Sequence, residues 1–271
     1  MDSIIFIYYL GDQKMNRLIN SALALVYAVT FFCVGPVMAQ NSSAIKNVVL
    51  VHGAFADGSS WSKVIPLLQK KGLHVTAVSN PLTSFADDVA ATKRAIATQD
   101  GPVILVGHSY GGVVITEAGD DPRVAGLVYV AAYAPNAGQS IGEMGTEFPK
   151  PLGLTKLVPQ GDGFLMLSPE GIETAFAQDL PKKEQVLLIA TQAQTSGSII
   201  GAKPTTAAWK NKPNWYIVST NDHMIAPNHE RSMAKQINAK TTELASSHVP
   251  MLSHPKEVAT VILDAVSNAG K

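Results

Sequence analysis

From residue 47 onward the chain alternates short apolar runs with stretches of helical periodicity. Asn47-Val48-Val49-Leu50-Val51 opens the series, and a Val-rich run without polar alternation is the pattern of a strand covered on both faces. Further strands are predicted at 74–78, 103–106, 124–132, 215–219 and 241–244. Helices are predicted between them, over about 61–71, from Ser84 to about Thr98, from near Tyr110 to Gly119, and over 227–237 and 256–267. Gly72 and Gly101-Pro102 supply the stops between elements. Strands alternating with helices predict an α/β protein, with a mostly parallel central sheet, helices on both faces and right-handed crossovers.

The alternation breaks between about 135 and 213, where no convincing strand is found. That stretch reads as loops and helices, the clearest at 169–178 and 181–194. A long segment without strands, set between core strands, is often functional. The expectation is a helical lid insertion, about 136–210, in a domain spanning 46–268, and not a second domain.

Composition narrows the class. Lys plus Arg is 21 and Asp plus Glu is 21, so the chain has no net field, and no basic cluster marks a nucleic-acid surface. An apolar fraction of 46% fills a sizeable core and argues against disorder. Cys33 is the only cysteine, which excludes a disulfide scaffold and a cysteine-rich cofactor site.

The N-terminal stretch is read as a targeting segment. A basic Met15-Asn16-Arg17, an apolar run over 19–34 and a small-residue Val37-Met38-Ala39 match the three parts of a signal peptide. Cleavage is expected after Ala39, giving a mature start near Gln40, with 1–14 upstream of the true start. The apolar run is short for a ~20-residue span and Gly35-Pro36 interrupts it, so no stable membrane span is expected in the mature form. The competing reading is an uncleaved anchor. Loss of 1–39 removes Lys14, Arg17, Asp2 and Asp12, leaving the charge balanced, and removes Cys33 as well. The expectation is an exported protein, periplasmic or secreted.

The chemistry begins at Gly107-His108-Ser109-Tyr110-Gly111-Gly112, directly after the 103–106 strand and before a helix. This is the Gly-x-Ser-x-Gly elbow in its confirming context of strand, sharp turn and helix. The turn pushes the Ser109 hydroxyl out of the sheet edge, and a helix N-terminus behind it offers free N–H groups. After the first strand, Gly53 lets the backbone turn so that the Ala54 amide faces Ser109. With the Tyr110 amide it would form an oxyanion hole, in which each donor is worth roughly 2.7–4 kcal/mol. His52 is read as structural.

Serine needs a base. Of seven histidines, His74 opens a strand, His229 is expected on an exposed helix, and His108 should point away from its neighbour. His223 belongs to the loop of the expected acid. His248, in Ser246-Ser247-His248-Val249-Pro250 between the last strand and last helix, can reach the sheet edge where Ser109 lies. His254 is the runner-up. Asp222 is the acid on the loop after the 215–219 strand, and it would orient the His248 ring. An imidazole base works only when neutral, so kcat/KM should fall in acid. No metal-binding spacing such as HExxH is present, so neither a metal nor a cofactor is expected.

The order Ser109, Asp222, His248 is that of the α/β-hydrolase superfamily, which the sequence resembles over residues 46–268. Val51-His52-Gly53-Ala54-Phe55 with Trp61, and Ser247-His248-Val249-Pro250-Met251-Leu252, look like a small-esterase branch. That branch is related to plant methyl-ester hydrolases and hydroxynitrile lyases. The lyases are expected to carry threonine where this chain has Val49 and lysine where it has Val249, and neither valine can hold a nitrile. A carboxylate nucleophile, as in dehalogenases, is excluded by Ser109.

The resemblance implies the α/β-hydrolase fold and ester hydrolysis through an acyl-serine intermediate, on a neutral, mostly apolar small-molecule ester. Phe55 and Tyr110 are expected to border the acyl pocket, with Met144, Phe148, Met166 and Phe176 supplying apolar contacts from the lid. Two further classes share the scaffold: a cofactor-free oxidative enzyme, and a catalytically silent binding module, which would usually lack a triad member.

Overall fold

A computed structural model describes residues 44–270 of the chain. The expected leader, 1–39, and its cleavage point after Ala39 lie outside the described residues.

Strand β1 (Asn47–Val51) is buried at every position, as its unbroken apolar run requires. A tight turn at Gly58–Trp61, capped by the Asp57 side chain, leads to the short α1 (Ile65–Gln69), so the expected 61–71 helix forms only in part. Then follow β2 (His74–Val78), α2 (Phe85–Ala97), β3 (Val103–His108), α3 (Gly111–Ala118) and β4 (Val124–Val130). The Ser84 side chain accepts from the Asp87 amide and sets the start of α2. β4 ends before the expected Ala132, because Ala131 turns left-handed with φ 43°.

The segment between β4 and the next core strand corrects the sequence reading. It contains β5 (Leu157–Gly161), β6 (Phe164–Leu167) and β7 (Thr195–Ser196), paired antiparallel in a small sheet of their own. These strands escape the pattern because β5 is mostly exposed and carries Pro159, while Gly161 and Gly163 bend the hairpin. Pro is tolerated on such an edge strand. The expected 169–178 helix is one α turn (Pro169–Gly171) running into a π turn (Ile172–Phe176). The next helix, α4 (Lys182–Thr191), is shorter than expected.

The core pattern resumes with β8 (Asn214–Ser219), α5 (Pro227–Gln236) and β9 (Lys240–Leu244), and α6 (Pro255–Asn268) closes the chain. The large sheet has the order β2-β1-β3-β4-β8-β9, and all five of its pairings are parallel. Alternation along the strands builds two cores. Val48, Leu50, Ile104, Val106 and Val128 face α1 and α6 through Leu68, Val258 and Ile262. Val49, Val51, Leu105, Leu127 and Val218 face α2, α3 and α5 through Ile96, Val114 and Met233. Each fully buried aliphatic side chain contributes roughly 1.5–3 kcal/mol. The result is a rigid platform whose carboxyl edge carries the loops after β1, β3, β8 and β9. Among the described residues no helix is long and apolar enough to cross a membrane.

Candidate active site

Ser109 sits immediately after β3 with φ 54°, a conformation a side-chain-bearing residue rarely adopts. The strain is locked in from three sides. The Ser109 amide donates to Val130 O at 3.2 Å, and its carbonyl accepts from Gly112 at 3.0 Å and from Tyr133 at 3.2 Å. Two glycines make the turn possible. A Cβ on Gly107 would lie 2.6 Å from Gly111 O, and one on Gly111 would lie 2.7 Å from Val51 O.

His248 and Asp222 come to this serine from loops after β9 and β8. His248 Nε2 lies 2.8 Å from Ser109 Oγ, and His248 Nδ1 lies 2.5 Å from Asp222 Oδ2. The other Asp222 oxygen accepts from the amides of Met224 at 2.6 Å and Ile225 at 3.0 Å, which fixes the carboxylate plane. The three side chains are almost wholly enclosed: Ser109 is 8% exposed, Asp222 3% and His248 1%. Sequence reasoning placed all three, and the fold brings them together.

The turn after β1 passes against the elbow. A Cβ on Gly53 would come 2.6 Å from Ser109 Cβ, so only glycine allows this approach. Phe55 takes φ 58°, and its amide donates to Thr195 Oγ1 on β7 at 3.0 Å. The amides of Ala54 and Tyr110 have no acceptor among the described residues, the condition an anion site needs. His52 holds the turn from behind. Its Nδ1 donates to Gly53 O at 2.9 Å, its Nε2 accepts from the Asn80 amide at 3.0 Å, and its carbonyl accepts from Asn80 Nδ2 at 3.1 Å. Burial holds the His52 imidazole below its ordinary pKa, so it is structural and not a proton carrier.

Three other expectations are corrected. The Tyr110 phenol does not border an acyl pocket: it is buried and donates to Asp88 Oδ2 at 2.7 Å, beneath α2. His229 is buried, not exposed, because Phe148 of the inserted segment stacks on its ring at 5.2 Å and Tyr133 meets it edge-on at 6.0 Å. His254 is engaged locally with Ser253 Oγ at 2.9 Å, away from the triad.

Several contributors were not legible in the sequence. His108 does point away from Ser109, but toward the triad: its Nε2 donates to the His248 carbonyl at 2.8 Å, and the two rings lie 4.7 Å apart. Burial, then the neighbouring His248, holds His108 well below the ordinary imidazole pKa. Phe176 meets His248 edge-on at 5.3 Å, and Asp179 Oδ2 accepts from the Ser247 amide at 2.8 Å. Both come from the inserted segment, which therefore covers the site. Glu230 is buried beside Asp222, and its carboxyl is pushed well above the usual range by burial and by that neighbour.

A cavity of about 310 Å³ lies elsewhere, lined by Trp209, Lys212, Asn214 and Gln236 at the amino edge of the sheet, and takes no part in this arrangement. No cluster of three His, Cys, Asp or Glu among the described residues could hold a metal ion.

A parallel sheet with a strained serine after the central β3 and an Asp–His pair on the loops after β8 and β9 is the architecture of a nucleophile-elbow α/β fold. The chain belongs to the alpha/beta hydrolase family, whose sequence pattern matches residues 48–261. It is 27% identical over 250 residues to a pyrethroid hydrolase of Sphingobium wenxiniae, covering 81% of this chain and 87% of that protein. It is 24% identical over 262 residues to Methylesterase 2 of Arabidopsis thaliana, covering 82% and 97%. Among solved structures, a pyrethroid hydrolase from Sphingobium faniae shares the fold with a TM-score of 0.71 at 23% identity, covering 82% of this chain and 98% of that one.

Proposed function

We propose that this protein is a carboxylesterase-type serine hydrolase acting on neutral, mostly apolar small-molecule esters. The observation that carries the reading is the unbroken relay from Ser109 Oγ through both nitrogens of His248 to Asp222 Oδ2, at 2.8 and 2.5 Å. A silent binding module has no need of it, and the named activities of the relatives agree with ester cleavage.

In this mechanism His248 Nε2 takes the hydroxyl proton as Ser109 Oγ attacks the ester carbonyl. The carbonyl oxygen gains negative charge and is received by the Ala54 and Tyr110 amides. Asp222 keeps the ring in the tautomer with the proton on Nδ1 and stabilises the imidazolium. His248 then protonates the departing alcohol, leaving an acyl-serine. Water, deprotonated by the same ring, attacks that ester, and the ring returns the proton to Ser109 Oγ as the acid leaves.

A neutral substrate fits the inserted segment. That segment carries no arginine, and three of its six lysines, Lys156, Lys182 and Lys203, are engaged with Glu170, Glu173 and Glu143. Phe176 packs edge-on against His248, and the half-buried Phe55 follows Ala54 on the turn after β1. Turnover of p-nitrophenyl acyl esters of increasing chain length tests the reading. Ser109→Ala should abolish it, and near wild-type turnover by that variant overturns the mechanism.

A further inference from the structure

The Asp222 carboxylate has a neighbour that the reaction above does not use. Glu230 projects from α5 with no exposed surface. Its Oε2 accepts a 3.0 Å hydrogen bond from the Ser219 amide at the end of β8. Its Oε1 is buried and has no donor among the described residues. Ser219 bonds both acids, since its carbonyl accepts from the Asp222 amide at 3.2 Å, and the neighbouring Asp222 carboxyl is a further acceptor. Two charged carboxylates in a dry interior repel, and an unsatisfied buried oxygen is costly. One proton on Glu230 resolves both conflicts, because a protonated carboxyl donates.

The acceptor count on Asp222 points the same way. A carboxylate offers about four lone-pair sites. Met224, Ile225 and His248 occupy three of them.

We propose that Glu230 is a positioning residue of the triad, hydrogen-bonding Asp222 at the acceptor site left open by His248 and the loop amides. The inference rests on the serine-hydrolase reading. By holding the Asp222 carboxylate at that remaining site, Glu230 helps the loop amides keep the plane in which the carboxylate meets the imidazole. The charged and titratable groups around it are Asp222 on its loop, Tyr216 on β8, Tyr133 after β4 and Arg231 on α5 itself. Burial and Asp222 oppose ionisation of Glu230, and only the Ser219 amide and the Arg231 charge favour it.

The test compares the full chain with Glu230→Gln and Glu230→Leu. Glutamine can accept from Ser219 and donate to Asp222, whereas leucine can do neither. Leucine should lower kcat about tenfold or more at unchanged KM, the scale expected for a misplaced catalytic group. Glutamine should restore most of that loss. In the wild type kcat should decline on the alkaline side as Glu230 ionises against Asp222, and the Gln variant should lack this decline. A Leu variant with wild-type kcat overturns the proposal, as does a Gln variant as impaired as Leu. If leucine prevents folding, the Gln profile decides: an alkaline decline unchanged from wild type overturns the proposal. The rate at which a fluorophosphonate labels Ser109 is read in parallel. A wild-type protein that labels but cleaves no ester defeats the ester reading alone, and the order of labelling rates still tests Glu230.

Discussion

Thr195 Oγ1, on the inserted β7, accepts the Phe55 amide at 3.0 Å and so ties the covering segment to the turn that carries Ala54. Ser196 ties the same strand to the loop after β2, its amide donating to Leu82 O at 2.8 Å. The oxyanion turn is thus shaped in part by a strand inserted some 140 residues later in the chain. Thr195→Val keeps the volume but removes the acceptor. Leaving an amide unsatisfied is worth roughly 1–3 kcal/mol. Because the loss falls on the turn that should stabilise the transition state, kcat on short acyl esters should drop between about fivefold and a hundredfold. A Val variant with unchanged kcat would mean that the inserted strand does not shape the turn.

The second amide of the oxyanion pair is anchored through its own side chain. The Tyr110 hydroxyl donates to Asp88 Oδ2 at 2.7 Å, while Asp88 Oδ1 accepts from the Leu82 amide at 2.8 Å. Burial raises the Asp88 carboxyl, and the two donors partly offset that shift. Tyr110→Phe leaves Oδ2 buried without a partner. The expected loss is about 1–3 kcal/mol, or a melting temperature lower by roughly 2–4 °C per kcal/mol. Asp88 is penalised as an anion, so its contribution is full below the unfolded carboxylate pKa and diminishes as pH rises through its folded value. The Phe variant should therefore lose most against wild type at neutral pH, where an unpaired Asp88 charge would be hardest to keep. Equal melting temperatures at neutral pH would count against the anchor.

Three buried histidines should make the fold sensitive to acid. His52, His108 and His229 all lie below the ordinary imidazole range, each chiefly because of burial. His52 also needs its Nε2 free to accept from Asn80, so protonation breaks a bond as well as adding a charge. The unfolded chain takes up these protons first. Stability is therefore present above about pH 6.5 and is lost as pH falls through the lower folded values. Calorimetric melting temperatures should decline between about pH 7 and 5, a window in which most exposed carboxylates stay ionised. A level profile across that interval would show that these rings are not buried as neutral imidazoles.

What the sequence disclosed follows the physics of each signal. The apolar runs of β1, β3 and β4 are read easily because burial on both faces leaves no polar alternation. Ser109, Asp222 and His248 were legible because each lies just beyond a strand whose end could be placed. Strands β5 to β7 were not, since exposed positions, Pro159 and two glycines erase the period-two pattern. The environments of His229, Tyr110 and Glu230 depend on which distant segment packs over them. Phe148, Asp88 and Asp222 lie 81, 22 and 8 residues away in sequence, beyond the reach of local periodicity. Helical amphipathicity also misleads at α5, where His229 and Glu230 occupy buried positions that a hydrophobic pattern would assign to apolar residues.

The elbow itself should be a measurable source of instability. Ser109 holds φ 54° against the steric preference of any residue with a Cβ. The left-handed conformation costs such residues roughly 1–2 kcal/mol. Ser109→Ala and Ser109→Gly both remove the hydroxyl and with it the 2.8 Å contact to His248, so their difference isolates the backbone term. Glycine adopts positive φ freely but is more flexible when unfolded, which offsets part of the gain. The Gly variant should melt above the Ala variant by about 2–4 °C, the shift for a net 1 kcal/mol in a domain of this size. Both should be inactive, so any gain in stability comes with the loss of the nucleophile. An Ala variant that melts at or above the Gly variant would show that the hydrogen bonds from Val130, Gly112 and Tyr133 hold the turn without strain.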